Sequence, residues 1–175
     1  MRSRSLPARL GAITLVFIMG ISAAWSADYP PTAEGAKALL KAFVQPGADW
    51  AALTKPLQPT TADYATVFEA PTAAKVQAMY DPAWKAGQLV IKPNPGQTEV
   101  LLDGVPTAEV RAWTAKAGEI LPGGWSKMQG EIKEGFTIYR FKFVEPGKTT
   151  GMAYDGLIHV NGQWRIFARA WRARE

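Results

Sequence analysis

The stretch EPGKTTGMAYDGLIHVNGQWR, residues 145–165, gathers the residue types able to do chemistry: a Gly-Lys-Thr triplet, a tyrosine, an aspartate and the chain's single histidine. Gly147-Lys148-Thr149 would suit a phosphate-binding loop, in which backbone amides and a lysine cradle phosphates ahead of a helix. Such a loop needs a second glycine five positions earlier, where Lys142 stands, and the GMAYDGLIHV that follows has the pattern of a strand. The triplet is therefore a connection between strands. Asp155 and His159 are the candidate catalytic residues. Four residues along a strand put them on one face but roughly 13 Å apart, beyond the reach of a dyad.

Asn161-Gly162 marks a two-residue hairpin turn, because a turn of the favoured hand requires positive φ at both central residues. That register sets His159 opposite Trp164, Leu157 opposite Ile166 and Asp155 opposite Ala168. Asp155 and His159 are then polar groups in an apolar wall, with Asp155 as a proton acceptor or ligand-orienting carboxylate. The structural alternative is an aspartate before glycine, in AYDG, that bonds backbone amides. The other face carries Met152, Tyr154, Ile158, Arg165, Phe167, Arg169 and Trp171. Tyr154 and Arg169, directly across from each other, could bind an anion or stack on a ring. Otherwise the arginines lay their stems over aromatic surface and extend their heads into water. With neither face purely polar, helices can cover one side and a partner subunit the other.

Elsewhere the chain excludes more than it offers. It has no cysteine, so disulfides, thiolate metal sites and cysteine nucleophiles are ruled out. One histidine and no loop of spaced Asp, Asn and Gly leave no metal site to propose. GxSxG, HExxH, GxGxxG and SxxK do not occur, so neither nucleophilic hydrolysis nor any cofactor is expected.

The N-terminus has the order of a secretory signal: Arg2, Arg4 and Arg9, the apolar run LGAITLVFIMGISAAW, then small residues before DYPPT. Cleavage after Ser26, with Ala24 and Ala27 as rival sites, would release residues 27–175 as one exported domain, periplasmic or secreted. An uncleaved anchor is the alternative, although the run is shorter than the ~20 residues that span a bilayer. Three of the 20 basic residues and none of the 15 acidic ones lie in this leader, leaving 17 against 15 and a mature net charge of about +2. Nucleic acid is accordingly not an expected partner.

The elements that must position these residues follow from caps and periodicity. Thr32, Asp49 and Thr60 each suit a helix N-cap, Thr60 with Asp63 in capping-box spacing, and Pro71-Thr72 opens a further helix in which Pro82 should force a kink or restart. QLVIK and TEVLL read as a hairpin around PNPGQ, and Thr107 begins one helix, AEVRAWTAKAGEI. FTIYRFKFV, GMAYDGLIHV and QWRIFARAWR then form an antiparallel meander. Six tryptophans follow the leader; Trp50, Trp84, Trp113 and Trp164 fit apolar faces and should pack in the core.

This order of elements, closed by the VNGQWRIF hairpin, resembles the nuclear transport factor 2-like superfamily, which includes SnoaL-like and ketosteroid-isomerase-like proteins. The resemblance spans roughly residues 32–172. It implies an α+β cone-like fold: N-terminal helices packed on a strongly curved antiparallel sheet, with a pocket between. A cystatin-like sheet-and-helix domain is the alternative. The superfamily hosts isomerases, cyclases, dehydratases and plain binding proteins, so fold alone does not decide function. The leading expectation is an exported small-ligand-binding or accessory protein whose pocket uses Tyr64, Tyr154, Trp164 and Arg169 for an apolar or aromatic molecule. The rival is a cofactor-free isomerase or dehydratase with Asp155 as general base and Tyr64, Tyr154 or His159 as oxyanion donor. A third expectation is a protein-interaction module that dimerises through its sheet.

Overall fold

The computed structural model describes residues 29–175; the expected leader and its expected cleavage site lie outside the described residues. Helices come first: α1 (Ala33–Lys41), α2 (Trp50–Thr54), α3 (Thr61–Val67) and α4 (Ala70–Lys85). Strand β1 (Glu99–Pro106) follows, then α5 (Thr107–Ala112), α6 (Ala115–Ile120) and three further strands: β2 (Thr137–Val144), β3 (Gly151–Val160) and β4 (Gln163–Ile166). The strands form one antiparallel sheet in the order β1-β2-β3-β4. The fold is α+β, but the sheet is not strongly curled or closed, in contrast to the cone expected from the resemblance. Among the described residues, no helix is long and apolar enough to cross a membrane.

The caps act as the sequence requires. Thr32 accepts from the Gly35 amide, Asp49 from Ala52, and Thr60 with Asp63 completes a reciprocal capping box. Asn161 and Gly162 take positive φ, and the hairpin pairs His159 with Trp164 and Leu157 with Ile166.

Four elements depart from expectation for local reasons. Helix α4 runs through Pro82 without a break. The helix begun at Thr107 ends at Ala112, where Trp113 turns left-handed and Thr114 caps α6 by accepting from Ala117. QLVIK forms no strand: Pro93 and Pro95 remove ladder donors, and the backbone of Ile91 and Lys92 bonds to side chains instead. The last strand stops at Ile166, because Arg169 turns left-handed into a 3₁₀ turn over Ala170–Arg174.

Both faces of the sheet are buried under the chain's own helices. On one, Val105, Ile138, Ile158 and Val160 pack with Tyr64, Phe68 and Val76 of the α3–α4 region and with Trp125. On the other, Tyr139, Phe141, Phe143, Leu157 and Trp164 pack with Leu39 and Leu40 of α1 and with Phe43, Leu57 and Ile91. A second subunit is therefore not needed to cover either face. Trp50, expected in the core, is 38% exposed, whereas Trp125 is fully buried.

A bulge decides which face each candidate residue occupies. Between the pairs Tyr139–Leu157 and Phe141–Tyr154, one residue of β2 stands against two of β3, Asp155 and Gly156. Beyond that extra residue the alternation shifts, so Tyr154 shares a face with Leu157 and Trp164, while Asp155 turns toward Trp125 on the opposite side. Gly156 sits at φ +84°, and a Cβ there would lie 2.4 Å from the Phe167 carbonyl oxygen, whose residue pairs with it through Phe167 N–H to Gly156 O at 2.8 Å. Gly156→Ala should therefore cost about 2–3 kcal/mol in chemical denaturation, from the strained φ alone and more from the clash. Gly123, where a Cβ would meet nothing within 4 Å, is the control position and should tolerate alanine.

Candidate functional site

Asp155 is 7% exposed, and its Oδ1 accepts two hydrogen bonds, from Trp125 Nε1 at 3.0 Å and from the Arg169 amide at 3.0 Å. The carboxylate thus ties the bulge to a buried tryptophan and to the left-handed turn that ends β4. It does not stand opposite Ala168 in a shared wall with His159, because the bulge has rotated it to the other face. His159 is half-buried with its ring edge-on to Trp164 at 5.1 Å, and burial holds its imidazole below the ordinary pKa.

The remaining candidates are separated. Tyr64 lies in the core, edge-to-face with Phe167 at 5.4 Å; burial first and the Asp81 charge second push its phenol well up. Trp164 is buried and donates from Nε1 to the Tyr29 carbonyl at 3.1 Å. Tyr154 stacks on Phe141 at 5.3 Å and uses its hydroxyl on the backbone of Lys92. It does not face Arg169, which lies past the end of the ladder with an exposed side chain. The structure brings Asp155 instead beside Tyr80, whose phenol is raised to about 12 by burial and then by the Asp155 charge, and whose hydroxyl donates to the Ala168 carbonyl.

A buried ion pair has no counterpart in the expectations. Arg165, expected to extend its head into water, instead donates from Nε to Asp63 Oδ2 at 2.9 Å, with side-chain exposures of 15% and 3%. Asp63 also accepts from the Thr60 amide at 2.8 Å, the Thr60 hydroxyl at 2.9 Å and Asn161 Nδ2 at 2.8 Å. Arg165 donates further to the Pro56 carbonyl. Burial opposes ionisation of Asp63, but the Thr60 amide, the Asn161 and Thr60 side chains and Arg165 outweigh it and hold the carboxyl below its ordinary value. The capping-box spacing was the one signal for Asp63. Nothing near Arg165 in sequence points to it.

Two empty volumes flank α2. The larger, about 830 Å³, opens between the end of α1 and α2, with walls from Leu39, Ala42, Pro46, Ala52, Leu53 and Pro56. Gln45, Asp49 and Lys55 supply its polar atoms. Its position follows from the chain: Pro46-Gly47 ends the first helical run and Asp49 starts α2, and the hollow lies at the junction of these short elements, lined there by alanine, proline and leucine side chains. Trp50, next to Asp49, is the exposed large hydrophobic residue among those described, with Nε1 donating to the Phe43 carbonyl at 2.9 Å. The smaller void, about 70 Å³, lies behind residues 89–91 and is lined by Tyr80, Trp84, Tyr154, Ile166 and Ala168. Thr54 borders this inner void, while its neighbours Leu53 and Lys55 border the outer hollow.

None of the sequence-derived candidates lines the larger hollow, and Tyr154 alone lines the smaller one. Among the described residues, no group of three or more His, Asp or Glu side chains is placed to hold a metal ion. In comparisons with known proteins, no family model, no curated protein and no solved structure matches this chain.

Proposed function

We propose that the protein is an exported binding protein that takes a small, predominantly apolar molecule in the hollow between α1 and α2. The observation that carries this proposal is the hollow's size and lining: about 830 Å³ with mainly aliphatic walls, within the roughly 300–1,000 Å³ of ordinary ligand sites. Gln45, Asp49 and Lys55 at its polar margin would orient a single polar end of the ligand. The element order's resemblance to the nuclear transport factor 2-like superfamily is compatible with a binding role, since that group includes plain binding proteins, but does not supply it.

The rival, acid–base catalysis by Asp155, is less well supported. Its Oδ1 is engaged by two donors, and Tyr154 and His159 stand on the other face of the sheet. Dimerisation through a sheet face is likewise less well supported, because both faces already carry a core.

The test is a titration of the purified protein with anilinonaphthalene sulfonate, followed by methyl NMR. Shifts should centre on Ala42, Ala52 and Leu53. Ala52→Trp places an indole in the hollow from an exposed helix position. It should weaken binding roughly tenfold or more while changing stability by no more than about 0.5 kcal/mol. Shifts centred elsewhere, or unchanged affinity in the tryptophan variant, would overturn the proposal.

A further inference from the structure

We infer that residues 88–98 are a hinged cover, and that the void behind them is a second binding site, for a small uncharged aromatic molecule carrying one hydroxyl or carbonyl. This site is separate from the α1–α2 hollow and does not depend on the function proposed for it. The segment has neither helix nor ladder pairing; Gly87, at φ +65°, immediately precedes it, and Gly96, at φ +83°, lies near its far end, both in left-handed conformation. Glycines of this kind absorb a change of chain direction without steric cost.

Its ties to the body are few and specific. The Ile91 amide donates to Thr54 Oγ1 at 3.0 Å. A single hydroxyl, that of Tyr154, accepts from the Lys92 amide at 3.1 Å and donates to the Lys92 carbonyl at 3.0 Å. The Ile91 side chain is buried against the sheet. Pro93 is buried as well, and Leu89 and Val90 are half-buried, so the segment is held by bonds between neutral groups and a short apolar face without helix or ladder bonding, which is the pattern of a segment that opens locally rather than with the whole fold.

The chemistry of the void follows from what borders it. Tyr80, Trp84 and Tyr154 supply aromatic walls and Ile166 and Ala168 aliphatic ones, and among the described residues no charged side chain lines it. At about 70 Å³ the closed void holds no more than a few waters, so a ring enters only when the cover lifts. Lifting it frees the Tyr154 hydroxyl as donor and acceptor, which had served the backbone of Lys92, and leaves Thr54 Oγ1 with a vacant acceptor site, its own proton still donated to the Trp50 carbonyl. A ligand carbonyl can accept from the Tyr154 hydroxyl, and a ligand hydroxyl can in addition donate to Tyr154 or Thr54 Oγ1, so either restores part of the bonding the cover gave up, and a purely hydrocarbon ring restores none. A charged ligand would have no counter-ion in this lining.

Native-state hydrogen exchange on the unmodified protein tests the cover first. The Ile91 and Lys92 amides should exchange at least about a hundredfold faster than those of Phe141 and Leu157 in the sheet. Tyr154→Phe keeps the ring on Phe141 and removes the latch, and should accelerate the Ile91 and Lys92 amides roughly tenfold further. For the ligand, p-cresol should bind the unmodified protein more tightly than toluene, with methyl shifts at Ile166 and Ala168. Tyr154→Phe should remove that preference and tighten toluene binding, because the closed state is then less populated. Leu89→Trp, which fills the void from the cover itself, should abolish both. Protection of Ile91 and Lys92 equal to that of the sheet amides would overturn the proposal. So would p-cresol shifts that are absent or confined to Ala42 and Ala52.

Discussion

Asp63→Ala is expected to lower the stability of the protein by about 3–5 kcal/mol, because it leaves the Arg165 guanidinium in a pocket with no counter-charge. For a domain of this size the loss corresponds to a fall of roughly 10 °C in the melting temperature. The cost lies in the orphaned charge more than in the pair itself. Joining Asp63→Leu to Arg165→Met should therefore recover much of the stability, since replacing both partners by apolar groups of similar volume is often neutral. A double variant no more stable than Asp63→Ala would show that the capping of α3 and the bond to Asn161, rather than the charge, dominate. The pH dependence carries its own sign. The folded-state pKa of Asp63 is lowered, so its contribution to stability is fully present above the unfolded carboxylate value and lost as pH falls through the depressed folded value. Denaturation midpoints of the unmodified protein should fall below about pH 4 more steeply than those of Asp63→Asn.

Asp63 also marks where local sequence stops informing the fold. Its spacing from Thr60 is a capping box in the sequence and in the structure, because both partners lie within one helical turn. Its partner Arg165 is 102 residues away, on a strand where the general tendency of arginine is to send its head to water. The Asn161-Gly162 turn likewise fixes the pairing as far as Leu157, since a two-residue loop sets the register of its own strands. The prediction then fails at Asp155-Gly156. AYDG is equally good as straight strand or as bulge, and the choice is made by distant contacts: Phe167 bonding Gly156, and Trp125 bonding Asp155 from 30 residues upstream. One added residue exchanges the faces of Tyr154 and Asp155, which parts Asp155 from His159 while His159 and Trp164 keep the expected pairing. The hollow beside α2 was illegible for a different reason. Pro46-Gly47 and Asp49 announce where helices end and begin, but an empty volume depends on the angle at which they meet.

Asp155 offers the sharpest separation of structural from chemical roles, since its two side-chain variants should diverge. Asp155→Ala removes the acceptor for both Trp125 Nε1 and the Arg169 amide, in a setting where Trp125 is fully buried. Each orphaned buried donor costs about 1–3 kcal/mol, so the variant should lose about 2–5 kcal/mol by urea denaturation and show a changed near-ultraviolet tryptophan signal. Asp155→Asn keeps a carbonyl oxygen where Oδ1 stands, and should retain most of the stability by continuing to accept from both donors. A proton acceptor, by contrast, is destroyed equally by either substitution. The structural role therefore predicts an asparagine variant close to the unmodified protein in stability and in ligand binding, with alanine far below it. Catalysis by Asp155 predicts that asparagine and alanine abolish turnover alike, whatever their stabilities. An alanine variant as stable as the unmodified protein would remove the bulge from the carboxylate's duties and return Asp155 to the list of groups free to meet a substrate.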